Sequence, residues 1–155
     1  MLYSLQMLPW ATNLSRFMHL RANERGLFLE SFWLLWVTRL SLWLLPFRTC
    51  RRAFGPTARM PRIFSRRTDS TIKAVVQAID RASRAVVRPT CLVRALVAES
   101  LLRRNGHDAI LQIGLARRGA GLDGHAWVEC NGKAVIGETE LQEYHVAAPL
   151  TWDVQ

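Results

Sequence analysis

The chain has 155 residues, 50% hydrophobic and 21% charged, with a formal net charge of +9, a composition that excludes a disordered tail protein and fits a globular fold. Three cysteines, Cys50, Cys91 and Cys130, without any C-x-x-C spacing, argue against a secreted disulfide framework and a structural zinc site and favour a reducing cytoplasm. The charge excess is local: residues 48–90 carry ten Arg and one Lys against Asp69 and Asp80, whereas residues 91–155 carry six basic and eight acidic residues.

At the N-terminus, Met1–Ala11 lacks a charged region leading into an apolar core and a cleavage site, so no signal peptide is expected. The stretch Leu27–Phe47 is the most apolar of the chain and long enough to span a bilayer. Glu30 and Arg39 stand against a span, since a central Arg costs about 2.5–3.5 kcal/mol on insertion. The sequence predicts one or two helices packing into a core or onto a partner, with Trp33, Trp36 and Trp43 as large buried bodies. A peripheral membrane contact is the alternative use of this segment. Pro46 should end the helix. The following stretch Arg48–Arg67 holds seven Arg together with Pro56 and Pro61 and reads as a linker or solvated turn region. Its charge suits an acidic partner, with Arg62, Arg66 and Arg67 as contacts. No helix-turn-helix, zinc-finger or ribonucleoprotein motif converts it into nucleic-acid recognition.

From residue 70 the pattern turns regular. Ile72, Val75, Val76, Ile79 and Val86 recur at helical spacing, with Ser70 or Asp69 as N-cap, and the helix should end before Pro89. A second helix starts after Thr90, a good N-cap, so that Cys91 falls in its first turn. Leu92, Val93, Leu96, Val97 and Leu101 form its apolar face, Arg103 and Arg104 its last turn, and Gly106 its C-terminal cap. A thiol in a first turn meets the positive end of the helix dipole and unbonded amide hydrogens, which favour thiolate.

Ala109–Arg117 then reads as a strand, Gly119, Gly121 and Gly124 as a loop, and His125–Cys130 as a second strand. Asn131-Gly132 signals a type I′ hairpin with Lys133–Glu138 returning. A two-residue turn there pairs His125 with Glu138, within reach of an imidazole–carboxylate hydrogen bond. It also places Trp127 and Glu129 on the His125 face and Val128 and Cys130 on the other. Cys91, His125 and Glu138 thus compose a Cys/His/acid arrangement for acyl transfer, as nucleophile, base and orienting acid, with Asp123 and Asp153 as rival acids. The remaining cysteines read as structural, as do His19, His107 and His145, which have no ligand-like spacing. No phosphate loop occurs, and neither a metal nor a cofactor is expected.

The run Cys91-Leu92-Val93-Arg94-Ala95-Leu96, the pair Leu101-Leu102 before Gly106, Ile113-Gly114-Leu115 and above all His125-Ala126-Trp127-Val128-Glu129 resemble the transglutaminase-like cysteine proteases of lasso-peptide biosynthesis, the B proteins. The similarity covers about Ile72–Glu138, and the Leu/Trp-rich N-terminal segment is similar to that of the longer members. The resemblance implies an α+β fold: N-terminal helices, then a transglutaminase-like or papain-like core whose catalytic Cys begins a helix packed on an antiparallel sheet. The division expected is a helical and Arg-rich segment at 1–66 and the protease core at 67–155. The implied activity is removal of the leader from a ribosomally made precursor peptide. The implied partners are that precursor, a separate PqqD-like leader-binding protein and an asparagine-synthetase-like lasso cyclase. Family members often place Asp near the third position, where this chain has Glu138 preceded by Gly137.

Overall fold

The computed structural model describes residues 22–54, 70–86, 89–119, 121–138 and 144–149. These form helices α1 (Ala22–Leu44), α2 (Phe47–Phe54), α3 (Ile72–Ala85) and α4 (Cys91–Arg104), followed by strands β1 (Ala109–Arg118), β2 (Gly121–Cys130), β3 (Lys133–Ile136) and β4 (His145–Pro149). The strands make one antiparallel sheet in the order β3-β2-β1-β4. This is the expected α+β class. Arg62, Arg66, Arg67, Asp69, Asp153 and the division at 66/67 lie outside the described residues.

Helix α4 is the centre of the molecule. Eight consecutive residues of it, Ala95–Leu102, are buried. Such all-round burial requires partners on both sides. On one side α4 meets α1 and α3, and on the other the sheet. Val93, Leu96, Val97 and Leu101 join Leu34 and Leu35 of α1, Val75 and Ile79 of α3, and Leu111, Ala126 and Val128 of the sheet in one core. Burying side chains of this size contributes roughly 1.5–3 kcal/mol each.

Two devices fix α4 along the sheet. Gly106, at φ +85°, closes the helix with a Schellman turn in which the His107 amide donates to Leu102 O and the Gly106 amide to Arg103 O, each 3.0 Å. Glu99, 1% exposed, accepts the Leu111 amide at 3.2 Å, and Arg103 donates to Ala109 O at 3.0 Å. The helix therefore runs antiparallel to β1 immediately beside it.

Helix α1 presents Leu27, Glu30, Ser31, Leu34, Leu35 and Thr38 to the core. Glu30 is paired with Arg104 of α4 at 3.0 Å, both side chains almost wholly enclosed. The tryptophans correct the expectation of large buried bodies: Trp33, Trp36 and Trp43 are 42%, 44% and 82% exposed. At 100° per residue the buried stripe uses positions 27, 30, 31, 34, 35 and 38, and the indoles fall on the opposite side. α1 is long and apolar enough to cross a membrane, by length and composition.

Other boundaries also moved. The stretch after Pro46 opens as helix α2, where a linker was expected, because Cys50 inserts fully into the core and donates to Leu45 O at 3.7 Å. Thr71, not Ser70 or Asp69, caps α3, its Oγ1 accepting the Ala74 amide at 3.3 Å. His107 has a structural use, with Nε2 2.7 Å from Ser70 O. Gly121 and Gly124, expected in a loop, lie within β2, whose first residue pairs with Arg118 across a turn at Gly119, φ +59°. β4 has no counterpart in the sequence reading.

Replacing Glu30 by Ala should lower unfolding stability by about 3 kcal/mol, because the enclosed Arg104 guanidinium loses its carboxylate. Urea unfolding checks it; a change below 1 kcal/mol would mean that the pair is not buried in solution.

Candidate active site

Cys91 is the first residue of α4, and Thr90 caps the helix as expected: its Oγ1 accepts the Val93 amide at 3.3 Å and its carbonyl the Arg94 amide at 3.1 Å. The amides of Cys91 and Leu92 precede the first intrahelical bond, as in any helix start. The thiol is half-buried, whereas Cys50 and Cys130 are buried. Burial pushes both of those thiols up, with the charge of Asp108 adding at Cys130.

The tie between Glu99 and Leu111 sets the level of Cys91 on the sheet. Cys91 is eight residues before Glu99, about 12 Å at ~1.5 Å per residue. The same distance along β1 is between three and four residues at about 3.3 Å each, which leads from Leu111 to Gly114 and Leu115. Gly114 is the cross-strand partner of His125. The first turn of α4 and His125 thus share one end of the sheet.

The turn at Asn131 (φ 52°) and Gly132 (φ 71°) has the expected left-handed backbone, but the register beyond it differs from the expectation. Cys130 pairs with Lys133 and Glu129 with Ala134, as a two-residue turn requires; a bulge follows, and Val128 pairs with Ile136. The extra residue, Val135, shifts the return strand by one. β3 then ends, three residues before it would come level with His125. Glu138 is therefore not the cross-strand partner of His125, and its side chain is exposed.

What meets the imidazole is the backbone of the preceding residue. His125 Nε2 lies 2.9 Å from Gly137 O. A carbonyl only accepts, so the ring holds its proton on Nε2 and leaves the Nδ1 lone pair open. Gly137 is at φ +81°, and a Cβ there would stand 3.0 Å from Ala126 O, 3.0 Å from Trp127 Cβ and 3.2 Å from His125 Nε2. Both the backbone angle and the close approach require glycine.

Two further groups hold the ring. Trp127 stacks at 6.2 Å between centroids with planes 17° apart, and Tyr144 covers it at 5.1 Å and 33°. The Trp127 indole is 3% exposed, donates Nε1 to Glu129 Oε1 at 2.8 Å, and lies over Gly114, where a Cβ would approach its ring to 2.8 Å. Tyr144 donates its hydroxyl to Asp123 Oδ2 at 2.8 Å, which holds the phenol above its usual range, and Arg118 lies 3.6 Å from the same oxygen. Asp123, a rival for the acid, is engaged by Tyr144 and Arg118. His125, Trp127 and Glu129 share a face, while Ala126, Val128 and Cys130 turn into the core with α4. Cys91 and the imidazole make no hydrogen bond to one another; in a site without substrate such pairs are often long.

Tyr144, Gly114 and the Gly137 carbonyl were missed in the sequence. Tyr144 sits beside a strand without apolar alternation, and a carbonyl leaves no trace in residue type. Among the described residues, no three or more His, Cys, Asp or Glu side chains gather to hold a metal ion.

The family pattern of the transglutaminase-like superfamily matches residues 34–148. The chain belongs to that superfamily. The match begins inside α1, so the second half of that helix falls within it together with α2, α3, α4 and the sheet as far as Ala148. Superfamily members are typically cysteine peptidases or acyltransferases. Neither the curated proteins nor the solved structures compared with the chain gave a match.

Gly137→Ala should remain folded but lose about 1–3 kcal/mol of stability, since its methyl must displace the Ala126 carbonyl or the His125 ring. Thermal unfolding checks the loss; an unchanged midpoint would contradict the close approach.

Proposed function

We propose that the chain is a cysteine peptidase that removes the leader from a ribosomally made lasso-peptide precursor. The observation that carries the acyl-transfer chemistry is the capped first-turn thiol at the sheet end where His125 is fixed by the Gly137 carbonyl. The leader-peptide substrate is supported by the resemblance of Cys91–Leu96 and His125–Glu129 to the lasso-peptide B proteins. The partners proposed with it are a separate PqqD-like leader-binding protein and an asparagine-synthetase-like cyclase that closes the ring after cleavage.

In this reading Cys91 Sγ attacks the carbonyl carbon of the scissile amide, and the thiol proton passes to Nδ1 of His125. The oxyanion is met by the unbonded amides of the first turn of α4, with the helix dipole behind them. The imidazolium returns its proton to the leaving amine, which departs and leaves a thioester on Cys91. Water, deprotonated by Nδ1, then releases the leader as a free carboxylate and restores the thiol. An amine in place of that water would make the product a transferase product from the same thioester.

The Gly137 carbonyl takes the orienting role expected of the acid. Glu138, exposed beside it, is proposed to aid the imidazolium through its charge alone. A solvated charge is screened, so its share is small.

The test incubates a candidate lasso-precursor peptide with the chain and a PqqD-like leader-binding protein, and reads the products by mass spectrometry. Cleavage into leader and core peptides, with rates lowered at least about 10³-fold in Cys91→Ala and His125→Ala and less than about tenfold in Glu138→Gln, is expected. An intact precursor, or full activity in Cys91→Ala, would refute the peptidase.

A further inference from the structure

Three tryptophans and three leucines of α1 lie on the side of the helix that the core does not use. At 100° per residue Leu29, Trp33, Trp36, Leu40, Trp43 and Leu44 fall within an arc of about 100°, opposite the buried stripe that packs α1 on α3 and α4. Leu40, Trp43 and Leu44 are each more than half exposed. A contiguous apolar row of this kind exceeds the single apolar residues scattered over ordinary surfaces, and it marks a contact with something outside the fold.

Its composition and surroundings choose the occupant. Indoles keep a wet N–H while the ring leaves water, which suits the boundary between lipid headgroups and acyl chains. Positive charge follows the row at once. Arg48 and Arg52 of α2 are exposed and four residues apart, hence on one face of that helix, while Cys50 between them is sunk into the core. The basic excess of the chain continues from there through residues 48–90. An anionic bilayer complements both features, with an apolar interior for the row and negative headgroups for the arginines. A second copy of this chain complements only the first, because it brings a further net charge of +9. Spanning the bilayer is incompatible with the fold: the other side of α1 carries Leu27, Leu34, Leu35 and the enclosed Glu30–Arg104 pair, all of which a span would strip from the core.

We propose that α1 docks the protein on an anionic phospholipid surface, lying along it with the Trp/Leu row at the headgroup–acyl boundary and with Arg48 and Arg52 against lipid phosphates. This docking is independent of the chemistry at Cys91 and is measured without substrate.

The test is cosedimentation of the full chain with vesicles of phosphatidylcholine holding one-third phosphatidylglycerol, compared with vesicles of phosphatidylcholine alone. The mixed vesicles should bind about tenfold more tightly or better, and the binding should weaken as salt rises. Leu40→Asp combined with Trp43→Asp should lose about tenfold or more, Arg48→Gln combined with Arg52→Gln should lose severalfold, and Leu122→Asp, at an exposed position of β2, should bind as the wild type does. In the unsubstituted chain, tryptophan fluorescence should be quenched more by lipid brominated near the headgroup end of its acyl chains than by lipid brominated near the methyl end. No binding to the mixed vesicles, equal binding to both kinds, or binding left intact by Leu40→Asp with Trp43→Asp overturns the proposal. Stronger quenching from the methyl end, the mark of a spanning helix, overturns it as well. A dimer in solution, or a complex with a PqqD-like leader-binding protein, that the same two substitutions break assigns the row to that occupant and overturns the lipid surface.

Discussion

The placement of α4 along the sheet decides everything else in this molecule. A helix packed on a sheet can slide along it at little cost in apolar contact, because burial has no direction. Here sliding is prevented by polar ties of fixed length: the Schellman closure at Gly106 and the buried Glu99 carboxylate on the Leu111 amide. A one-residue slip would break the Glu99–Leu111 bond and leave a buried amide without its acceptor, a cost of about 1–3 kcal/mol. These ties at the far end of the helix set the height of its first turn, and so where Cys91 stands relative to His125. The Glu30–Arg104 pair locks α1 to the same helix. The nucleophile is thus positioned by one element relative to the sheet that carries the imidazole.

The second constraint is the way the ring is held. In many acyl-transfer sites a carboxylate both orients the imidazole and stabilises its cation. In this chain a backbone carbonyl fixes the orientation and tautomer, at 2.9 Å from Nε2, while Trp127 and Tyr144 close on the ring. A carbonyl dipole supports the imidazolium less than a full charge does, but it cannot be protonated and does not change with pH. Glycine at 137 is what lets the chain come this close, and glycine at 114 is what leaves room for the Trp127 ring over β1.

Much of this was legible in the sequence, for identifiable reasons. Thr90 and Cys91 were readable because capping is local chemistry, and Asn131-Gly132 because few dipeptides adopt two successive left-handed conformations. The bulge at Val135 was not readable. It depends on how β3 meets its neighbour, and one extra residue moved Glu138 out of register with His125 while leaving the hairpin intact. The tryptophans of α1 misled for a different reason. Hydrophobicity was taken to mean burial, whereas the stripe at 27, 30, 31, 34, 35 and 38 includes Glu30, Ser31 and Thr38 and faces inward, with Glu30 held by Arg104 and Ser31 by the Leu27 carbonyl. β4 and Tyr144 were invisible because an edge strand of His, Val, Ala and Pro has no alternation to detect.

The claim on which the proposed chemistry turns is that His125 is held with its proton on Nε2 and its lone pair on Nδ1. Long-range proton–nitrogen correlation spectra of the chain labelled with ¹⁵N-histidine read this directly. The account predicts that the His125 signals show a protonated Nε2 and a bare Nδ1, in the wild type and in Glu138→Gln alike. A ring with its proton on Nδ1, or one that exchanges freely between the two forms, would contradict it.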